Sequence, residues 1–406
     1  MKRIAITPRP DWTAQADALG FHFHTIDGET YWDESAYYAF GLRQVEDDIE
    51  APTQQLHDMA MDLVDEVVQS EALLTRLAIP PAYWDWIRDS WRQRDPHLYG
   101  RMDLAYGGGG DPDKHGADQP GPAKLYEFNY DTPTSLYESA YFQWLWLEQA
   151  IASGVLPADA DQYNRIQELL CESFGHLASS GRIATPVHFA AVADSAEDRG
   201  TVRYLRDCAE QAGLDTFELA IEQIGISAEG WFTDSEDRVI RTLFKLYPLE
   251  WMFAETYGPK LAGSQVQLIE PAWKAVLSNK GVLPLLWQRH EGHPNLLPAF
   301  FDDAPGDALP AGWVRKPLFS REGANIELVT ASGEHLRSDG PYADSPMIRQ
   351  AYHPLPEHPG AGGARHYPLV GSWVVADQPA GMGIREDASR ITQDTSRFVP
   401  HAIIGD

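Results

Sequence analysis

Acidic and amide side chains alternate with aromatic side chains in residues 124–131 of this chain. In an extended strand successive side chains point to opposite faces. Glu127, Asn129 and Asp131 would therefore project together, while the aromatic residues that alternate with them pack inward. Carboxylate and amide oxygens are ligands that a hard cation such as Mg²⁺ accepts. The same pattern is also typical of an ordinary half-buried strand, so this segment alone leaves both interpretations open.

A second alternating segment, residues 98–106, would carry Arg101 and Asp103 on one face. The linker that follows, residues 107–122, is rich in Gly, Pro and Asp, a composition that predicts a flexible surface loop and no phosphate-binding loop. The two strands can then pair as a hairpin, which would bring Arg101 and Asp103 beside Glu127 and Asn129. We therefore predict a cluster of carboxylates, an amide and a guanidinium group that suits Mg²⁺ shared with substrate phosphates.

Cationic side chains stand next to glycines in the last third of the sequence. Lys316 ends a predicted strand, and the turn after it contains Gly323, where a backbone can approach a ligand closely. Lysines from separate elements can neutralise the phosphates of a nucleotide. Arg385 follows a glycine-containing segment, and it would either hold a transferring phosphoryl group or form a salt bridge with a neighbouring acid.

The composition is acidic, with 32 Lys and Arg against 60 Asp and Glu and a net charge of −28 over 406 residues. A nucleic acid or an anionic membrane surface is therefore not the expected partner. The sequence shows neither a signal peptide nor an apolar stretch long enough to span a bilayer, so we expect a cytoplasmic protein. Cys171 and Cys208 are too few for a disulfide framework or a thiolate metal site.

Helical periodicity predicts the elements that position these side chains, with helices over residues 51–76, 82–95 and 136–151. After Pro186 a strand, a loop and a helix are followed by further strands up to residue 242, which predicts an α/β subdomain. Glu197 and Asp198 fall at the carboxyl end of its first strand, where ligands bind in open α/β sheets. Acids ahead of a helix are at least as often simple N-terminal capping groups.

Seven motifs in the same order resemble the glutathionylspermidine synthase family: GRMD (residues 100–103), YEFNYDTPT (126–134), EPAWK (270–274), LSNK (277–280), RKP (315–317), SREGANI (320–326) and PAGMGIRED (379–387). The resemblance runs nearly end to end. It implies an α/β (α+β) fold, an ATP-grasp-type ligase formed as a single synthetase module over residues 1–406, and no preceding amidase domain.

The resemblance also implies three approximate subregions. Residues 1–180 would form a helical N-terminal part with the metal-binding hairpin. Residues 181–265 would form the additional α/β subdomain, and residues 266–406 the ATP-binding region.

Carried over residue by residue, the resemblance assigns roles to individual side chains. The Mg²⁺ ligands would be Asp103, Glu127 and Asn129. Arg101 and Arg385 would contact the acyl phosphate or the peptide substrate. The nucleotide would be bound by Lys280 and Lys316 at its phosphates, by a lid over residues 320–325 that contains Arg321 and Gly323, and by Gln350 beside the adenine. The peptide site would use Thr132, Thr134, Ser135, Glu197 and Asp198.

The activity that the resemblance implies is ATP-dependent amide formation between a glutathione-like peptide carboxylate and a polyamine-like amine, through an acyl phosphate and with Mg²⁺. Residues 245–247 (KLY) depart from a Lys-Thr-Trp-like family stretch, so one hydroxyl contact to glutathione would be absent. Two alternatives stay open. One is a non-catalytic ATP- or peptide-binding relative, and the other is a divalent-metal hydrolase built from the same carboxylates.

Overall fold

The computed structural model describes residues 1–26, 28–108, 121–304, 306, 308–393 and 396–405. Most of the predicted surface loop of residues 107–122 lies outside the described residues. Among the helices in the described ranges, none is long and apolar enough to cross a membrane.

The elements up to residue 98 combine helices with short strands. The strands are β1 (Lys2–Ala5), β2 (Thr25–Ile26), β3 (Glu29–Thr30) and β4 (Ala36–Phe40). The helices are α1 (Trp12–Ala18), α2 (Leu42–Val45), α3 (Ala51–Val67), α4 (Glu71–Arg76) and α5 (Trp84–Arg92). A π-helical turn at Glu46–Glu50 joins α2 to α3, and a 3₁₀ turn at Pro81–Tyr83 precedes α5.

The prediction of one continuous helix over residues 51–76 is wrong. Helix α3 ends at Val67, and Ser70 adopts an extended backbone before α4 begins. The Ser70 side chain accepts a hydrogen bond from the backbone N–H of Leu73, which is the usual role of an N-cap serine. Apolar periodicity continues across the break, and the sequence pattern therefore did not reveal it.

The middle of the chain contains the predicted hairpin and a parallel sheet with its helices. Its strands are β5 (Tyr99–Ala105), β6 (Lys124–Asn129), β7 (Val187–Ala191), β8 (Thr216–Ala220), β9 (Gly225–Ile226), β10 (Phe232–Thr233), β11 (Thr242–Leu246) and β12 (Gln267–Ile269). Its α-helices are α6 (Gln143–Ala152), α7 (Ile166–Ser179), α8 (Ala196–Gln211) and α9 (Leu249–Ala254). A π-helical turn, Glu138–Phe142, leads into α6. The 3₁₀ turns are Ile221–Gln223, Gly258–Gly263 and Ala272–Val276.

The last part of the chain is mostly strand. It consists of α10 (Val282–Arg289), β13 (Ala299–Asp302), β14 (Trp313–Pro317), β15 (Glu327–Val329), β16 (His335–Arg337), β17 (Met347–Ala351), β18 (His358–Pro359), β19 (Arg365–Val375), β20 (Gln378–Asp387), β21 (Arg397–Val399) and β22 (His401–Ile403).

The central sheet has the order β21-β20-β19-β5-β6, with β18 paired to β19. The predicted hairpin is confirmed, because β5 and β6 pair antiparallel with Arg101 opposite Asn129 and Asp103 opposite Glu127. Arg385 enters the same sheet on β20, two strands away from β5. The sheet therefore brings residues from distant parts of the sequence together.

A β-bulge interrupts the hairpin at Tyr126, just before Glu127. The register moves from the Asp103–Glu127 pair directly to Leu104–Leu125, which leaves Tyr126 as the extra residue. Tyr126 packs with Ala105 and Leu369, whereas Phe128 and Tyr130 belong to the largest core cluster. The predicted common inward face of the aromatic residues is therefore wrong for Tyr126.

A second sheet is parallel and has the order β12-β11-β7-β8. Helix α8 connects β7 to β8, as the strand–loop–helix pattern predicted. Its first turn, with Glu197 and Asp198, lies just beyond the carboxyl end of β7. A third, antiparallel sheet has the order β13-β17-β14-β15-β16 and carries Lys316 on β14 and Gln350 on β17.

A small sheet joins the two ends of the described chain, because β4 pairs antiparallel with β1 and parallel with β22. The fully buried carboxylate of Glu386 on β20 links this region to the central sheet. It accepts hydrogen bonds from Arg3, Tyr38 and Arg397 at 2.6, 2.5 and 2.9 Å.

Gly100 provides a test of the packing behind the hairpin. A Cβ atom at this position would lie 2.3 Å from Cδ1 of Tyr130, so Gly100→Ala forces the tyrosine ring or the strand to move. We expect the substitution to lower the free energy of unfolding by about 1–3 kcal/mol, measured by urea denaturation.

Gly175 on α7 is the control, because a Cβ there would meet no atom within 4 Å. Gly175→Ala should raise the free energy of unfolding by about 0.5–1 kcal/mol through helix propensity. Equal stability of the two variants would contradict the packing described here.

Candidate active site

A cleft with about 780 Å³ of empty space lies between the central sheet and the β13–β17 sheet. One end is lined by charged side chains: Asp103, Glu127, Lys280, Lys316 and Arg385. The other end is lined by apolar and aromatic side chains: Val314, Ile326, Leu328, Tyr352 and Ile391. A cleft with one apolar end and a few convergent charges is a typical small-molecule site.

The predicted metal-binding cluster is assembled at the charged end. The Asn129 side-chain amide donates hydrogen bonds to Asp103 Oδ2 at 3.2 Å and to Glu127 Oε1 at 3.4 Å. The amide NH₂ group thus occupies a position that both carboxylates share. Rotation of the amide by 180° would present its oxygen to the same point, which makes three oxygen ligands.

Two buried lysines face this cluster. Lys280 Nζ lies 3.1 Å from Glu127 Oε2 and donates a hydrogen bond to the backbone oxygen of Ser320 at 2.6 Å. Lys316 Nζ donates to Gln350 Oε1 at 2.8 Å and to the backbone oxygen of Tyr126 at 3.2 Å. Gln350 Nε2 in turn donates to the backbone oxygen of Leu125, which fixes the orientation of the amide.

The charges of this cluster act strongly on one another. Burial alone would raise the pKa of Glu127, but the ammonium groups of Lys280 and Lys316 outweigh burial and lower its pKa to about 2. Burial lowers the pKa of Lys316 to about 8, although Glu127 opposes this shift. At neutral pH the site therefore combines an ionised carboxylate with cationic lysines, an arrangement that can take a metal ion and phosphates together.

Two arginines contact Asp103 from the same side. Arg101 Nε donates to Asp103 Oδ1 at 2.7 Å, and Arg385 Nη2 lies 3.4 Å from Asp103 Oδ2. Arg101 also donates to the backbone oxygen of Thr134 at 2.7 Å. Of the two options for Arg385, the structure favours contact with the cluster, because Glu386 is bound by Arg3 and Arg397 instead.

The donor set fits Mg²⁺ better than a transition metal. Within the described ranges, no group of three or more His, Cys, Asp or Glu side chains is arranged to hold a metal ion. Two carboxylates and one amide leave several positions of an octahedral shell to water and phosphate oxygens, which is the usual mode of Mg²⁺ binding in nucleotide sites.

The segment of residues 320–325 closes one side of the cleft through Gly323. This glycine has a φ of 68°, and a Cβ atom there would lie 2.5 Å from the backbone oxygen of Thr392. Glu322 and Asn325 also have left-handed backbones, so the segment is a tight turn that requires glycine at its closest approach.

The structure places Arg321 outside the lining of the cleft. Its guanidinium group donates to Thr132 Oγ1 at 2.7 Å and to Glu250 Oε1 at 2.6 Å. These contacts link the turn to the hydroxyl-containing segment after β6. Arg321 therefore holds the turn in place, and a direct contact with nucleotide is not part of this arrangement.

The hydroxyl-containing residues after β6 are used differently from one another. Thr132 accepts the hydrogen bond from Arg321, and Thr134 contacts Arg101 only through its backbone oxygen. Ser135 has a left-handed backbone, and its Oγ lies 3.1 Å from the hydroxyl group of Tyr31. The predicted peptide-binding hydroxyls are thus close to the arginines, but they do not form one uniform surface.

Three acidic side chains, Glu138, Glu197 and Asp198, form an acidic group close to Arg385. Burial and the neighbouring carboxylates of Glu138 and Asp198 raise the pKa of Glu197 to about 8. Burial raises the pKa of Asp198 to about 6 and the pKa of Glu138 to about 7. Ser195 is the N-cap of α8 and accepts a hydrogen bond from the backbone N–H of Asp198, so the capping role belongs to the serine and both acidic side chains remain available.

Sequence reasoning did not assign Asp131, Tyr31 or Glu138 their positions. Asp131 was expected to project with Glu127 and Asn129, but it is buried and forms an ion pair with Lys245. Asp131 also accepts a hydrogen bond from the backbone N–H of Leu249 at 2.9 Å. The unusual KLY segment thus contributes a buried structural lysine. In the sequence, the only indication of the Asp131–Lys245 ion pair was an acidic residue after one predicted strand and a lysine after another.

The EPAWK motif supports the start of β5. The buried Glu270 carboxylate accepts hydrogen bonds from the backbone N–H groups of Leu98 and Tyr99. Lys274 pairs with Glu270 at 2.7 Å and donates to the backbone oxygen of Tyr99. This motif therefore fixes the strand that carries Arg101 and Asp103.

Comparison with known proteins identifies similar chains. A family model described as the glutathionylspermidine synthase preATP-grasp domain matches residues 3–404. A Haemophilus influenzae protein named "Putative acid–amine ligase" is 38% identical over 423 residues, which cover 100% of both chains.

Two longer relatives are more distant. Trypanothione synthetase from Crithidia fasciculata is 26% identical over 85% of this chain and 53% of its own length. The bifunctional glutathionylspermidine synthetase/amidase from Escherichia coli is 25% identical over 97% of this chain and 63% of its own length. The present chain thus spans less than two thirds of these two relatives.

Among solved structures, a glutathione synthetase-like effector from Globodera pallida superposes with a TM-score of 0.56. It is 11% identical in sequence, and the superposition covers 91% of this chain and 89% of that chain. This similarity supports the ATP-grasp-type α/β fold.

The raised pKa values predict that the acidic group lowers the stability of the fold at high pH and not at low pH. A carboxyl group whose pKa is higher in the folded state stabilises the fold at low pH, and this contribution is lost as the pH rises through the folded value. Glu197→Gln should therefore leave the Tm nearly unchanged at pH 5. At pH 9 it should raise the Tm, because it removes an ionised carboxylate that neighbouring carboxylates repel. The expected rise is only on the order of 2 °C, since solvent screens this partly exposed site.

Glu168→Gln is the matched control, since Glu168 is exposed in the first turn of the neighbouring helix α7. It should not show a difference between the two pH values. A Tm change of Glu197→Gln that is the same at pH 5 and pH 9 would contradict the predicted charge repulsion.

Proposed function

We propose that this chain, which belongs to the glutathionylspermidine synthase family, joins the carboxylate of a glutathione-like peptide to a polyamine-like amine through an acyl phosphate. Family membership makes the chain an ATP-dependent carbon–nitrogen ligase of the acid–amine class. The identities of the peptide and the amine, and a location in the cytoplasm, are parts of the proposal.

The observation that carries the proposal is the separation of charge in and beside the cleft. Buried lysines and a carboxylate–amide cluster lie in the cleft, two arginines contact this cluster, and the carboxyl groups of Glu138 and Glu197 lie close to the arginines. Phosphates, a carboxylate and an ammonium group are the ligands that these three zones would attract in turn. A ligase that uses ATP must bring the same three groups together.

Each zone has a defined task in this proposal. Lys280 and Lys316 bind the ATP phosphates, and the apolar end of the cleft beside Gln350 accepts the adenine. Asp103, Glu127 and Asn129 would hold Mg²⁺, which when bound neutralises charge on the phosphoryl oxygens. Arg101 and Arg385 orient the peptide carboxylate and stabilise the charge that develops during its activation.

The acidic group is better suited to the amine than to the peptide. A peptide carboxylate would be repelled by Glu197 and Asp198, whereas a polyamine offers several ammonium groups to them. Thr134 contacts Arg101 through its backbone oxygen, and Ser135 contacts Tyr31, the hydrogen-bond partner of Glu138. We propose that the segment of Thr132, Thr134 and Ser135 borders the peptide.

The function is tested with purified protein, ATP and Mg²⁺, with glutathione and spermidine as the first probes. We expect ADP and phosphate release only when both probes are present, together with a product whose mass equals their sum minus one water. Mg²⁺-dependent hydrolysis of a substrate without release of ADP would support the metal hydrolase. ATP binding without release across a broad panel of peptides and amines would support a non-catalytic binding protein.

Glu127→Gln tests the metal-binding cluster. The amide retains the shape of the side chain but loses the negative charge, so we expect the affinity for ATP in the presence of Mg²⁺ to fall at least about tenfold, equivalent to about 1.4 kcal/mol. Binding is measured with a fluorescent ATP analogue. With EDTA in place of Mg²⁺, the difference between the variant and the wild type should disappear.

Glu29→Gln serves as the control, because Glu29 is exposed on β3. This variant should bind ATP as the wild type does. An unchanged Mg²⁺-dependent affinity in Glu127→Gln would remove Glu127 from the metal site.

A further inference from the structure

Glu138 is a buried carboxylate close to Arg101 and Arg385, and only one of its oxygens has a hydrogen-bond partner in the described part of the chain. Its side chain is 0% exposed. Oε1 accepts a hydrogen bond from the hydroxyl group of Tyr31, whereas Oε2 has no hydrogen-bond partner among the described residues. A buried, ionisable oxygen without a partner is costly to fold unless a ligand or a reaction uses it.

The neighbours of Glu138 hold the group in place and set its charge. Ser135 lies 3.1 Å from the Tyr31 hydroxyl group, so the tyrosine is fixed between the serine and the glutamate. Arg101 and Arg385 attract the ionised form of Glu138, while the carboxylate of Glu197 on α8 repels it. Burial is the strongest influence and raises the pKa of Glu138 to about 7.

The proposed ligation has a step for which no residue has yet been assigned as the proton acceptor. The amine arrives as an ammonium ion, and its nitrogen has no free electron pair until a proton is removed. A carboxylate with a pKa near the working pH is suited to this task.

We infer that Glu138, through its unpaired Oε2, accepts the proton that the substrate ammonium ion loses before its nitrogen attacks the activated carboxyl carbon. The inference rests on the proposed ligase function. The N–H bond breaks, the proton moves to Oε2, and the freed electron pair forms the C–N bond. The C–O bond to the phosphoryl group then breaks, and phosphate leaves with the second proton of the nitrogen. Glu138 returns its proton to solvent.

Glu197 and Asp198 are less suited to this role. Both are only half-buried at the first turn of α8, where solvent reaches them. We assign them to the ammonium groups of the amine substrate. Asp103, which contacts both arginines, is assigned to Mg²⁺, and this leaves Glu138 as the remaining acidic side chain close to Arg101 and Arg385.

The test compares two nucleophiles. Spermidine is almost fully protonated at neutral pH, whereas hydroxylamine is mostly neutral there and needs no proton acceptor. Glu138→Gln keeps the size of the side chain and an oxygen for the Tyr31 hydrogen bond. With ATP, Mg²⁺ and glutathione at pH 7.5, we expect the ratio of amide formation to hydroxamate formation to fall at least about 100-fold in this variant.

The pH profile provides a readout that a purely structural role would not change. In the wild type, kcat/KM for spermidine should rise up to about pH 7 and then level off, since Glu138 is ionised above that pH. In Glu138→Gln it should keep rising tenfold for each pH unit, because only the small neutral fraction of the amine reacts. Tyr31→Phe removes a hydrogen bond that favours the carboxylate, so its inflection should move to higher pH.

Glu148→Gln is the matched control, since Glu148 is exposed on α6, the helix that follows the turn containing Glu138. It should leave both reactions and the pH profile unchanged. If Glu138→Gln lowers amide and hydroxamate formation equally, or lowers neither, Glu138 is not the proton acceptor. If the wild type forms neither product, the proposed function itself is overturned. If Glu138→Gln fails to fold, the pH profile of Tyr31→Phe decides instead: an inflection that does not move to higher pH contradicts the inference.

Discussion

The register of the hairpin formed by β5 and β6 is the constraint on which the candidate active site depends. It sets Asp103 opposite Glu127 and Arg101 opposite Asn129. A shift by one residue would turn each of these side chains to the other face of the sheet. The bulge at Tyr126, the contact of Gly100 with the Tyr130 ring and the anchoring of Leu98 and Tyr99 by Glu270 all fix this register. Charge placement in the cleft therefore begins with backbone pairing and side-chain packing.

The buried ion pairs of this protein include two kinds, those enclosed in the core and those that border the cleft. The Lys245–Asp131 and Lys274–Glu270 pairs are fully enclosed and use their remaining hydrogen-bonding capacity on backbone groups. The Glu127–Lys280 pair is different, because it borders an open cleft and can exchange partners with a ligand. Removing one member of an enclosed pair leaves an uncompensated charge, which costs about 3–5 kcal/mol. The site pair can separate at lower cost when phosphate and metal replace its contacts.

Local sequence patterns predicted the parts of the fold that local physics determines. Alternation predicted β5 and β6, and the strand–loop–helix order predicted β7 and the helix α8 that follows it. The motifs also brought together Asp103, Glu127, Asn129, Lys280 and Lys316, all of which meet in the cleft. Local patterns could not show which long-range partner each side chain finds. Arg321 binds Glu250 and Thr132, and Asp131 binds Lys245, because folding brings together segments more than 70 residues apart. The sequence did not assign Glu138 a role either, because its partner Tyr31 is 107 residues away in the chain.

The sheet formed by β1, β4 and β22 has a consequence for how the protein is made. Strand β4 leaves the ribosome early, but β22, its parallel neighbour, is synthesised about 360 residues later. Until then one edge of β4 carries unpaired backbone groups, which are a template for association with other chains. Arg3 and Tyr38 also lack their hydrogen-bond acceptor until Glu386 has been synthesised. The N-terminal region therefore completes its fold only after translation has reached the last strand, and a nascent chain needs protection at this edge for most of its synthesis.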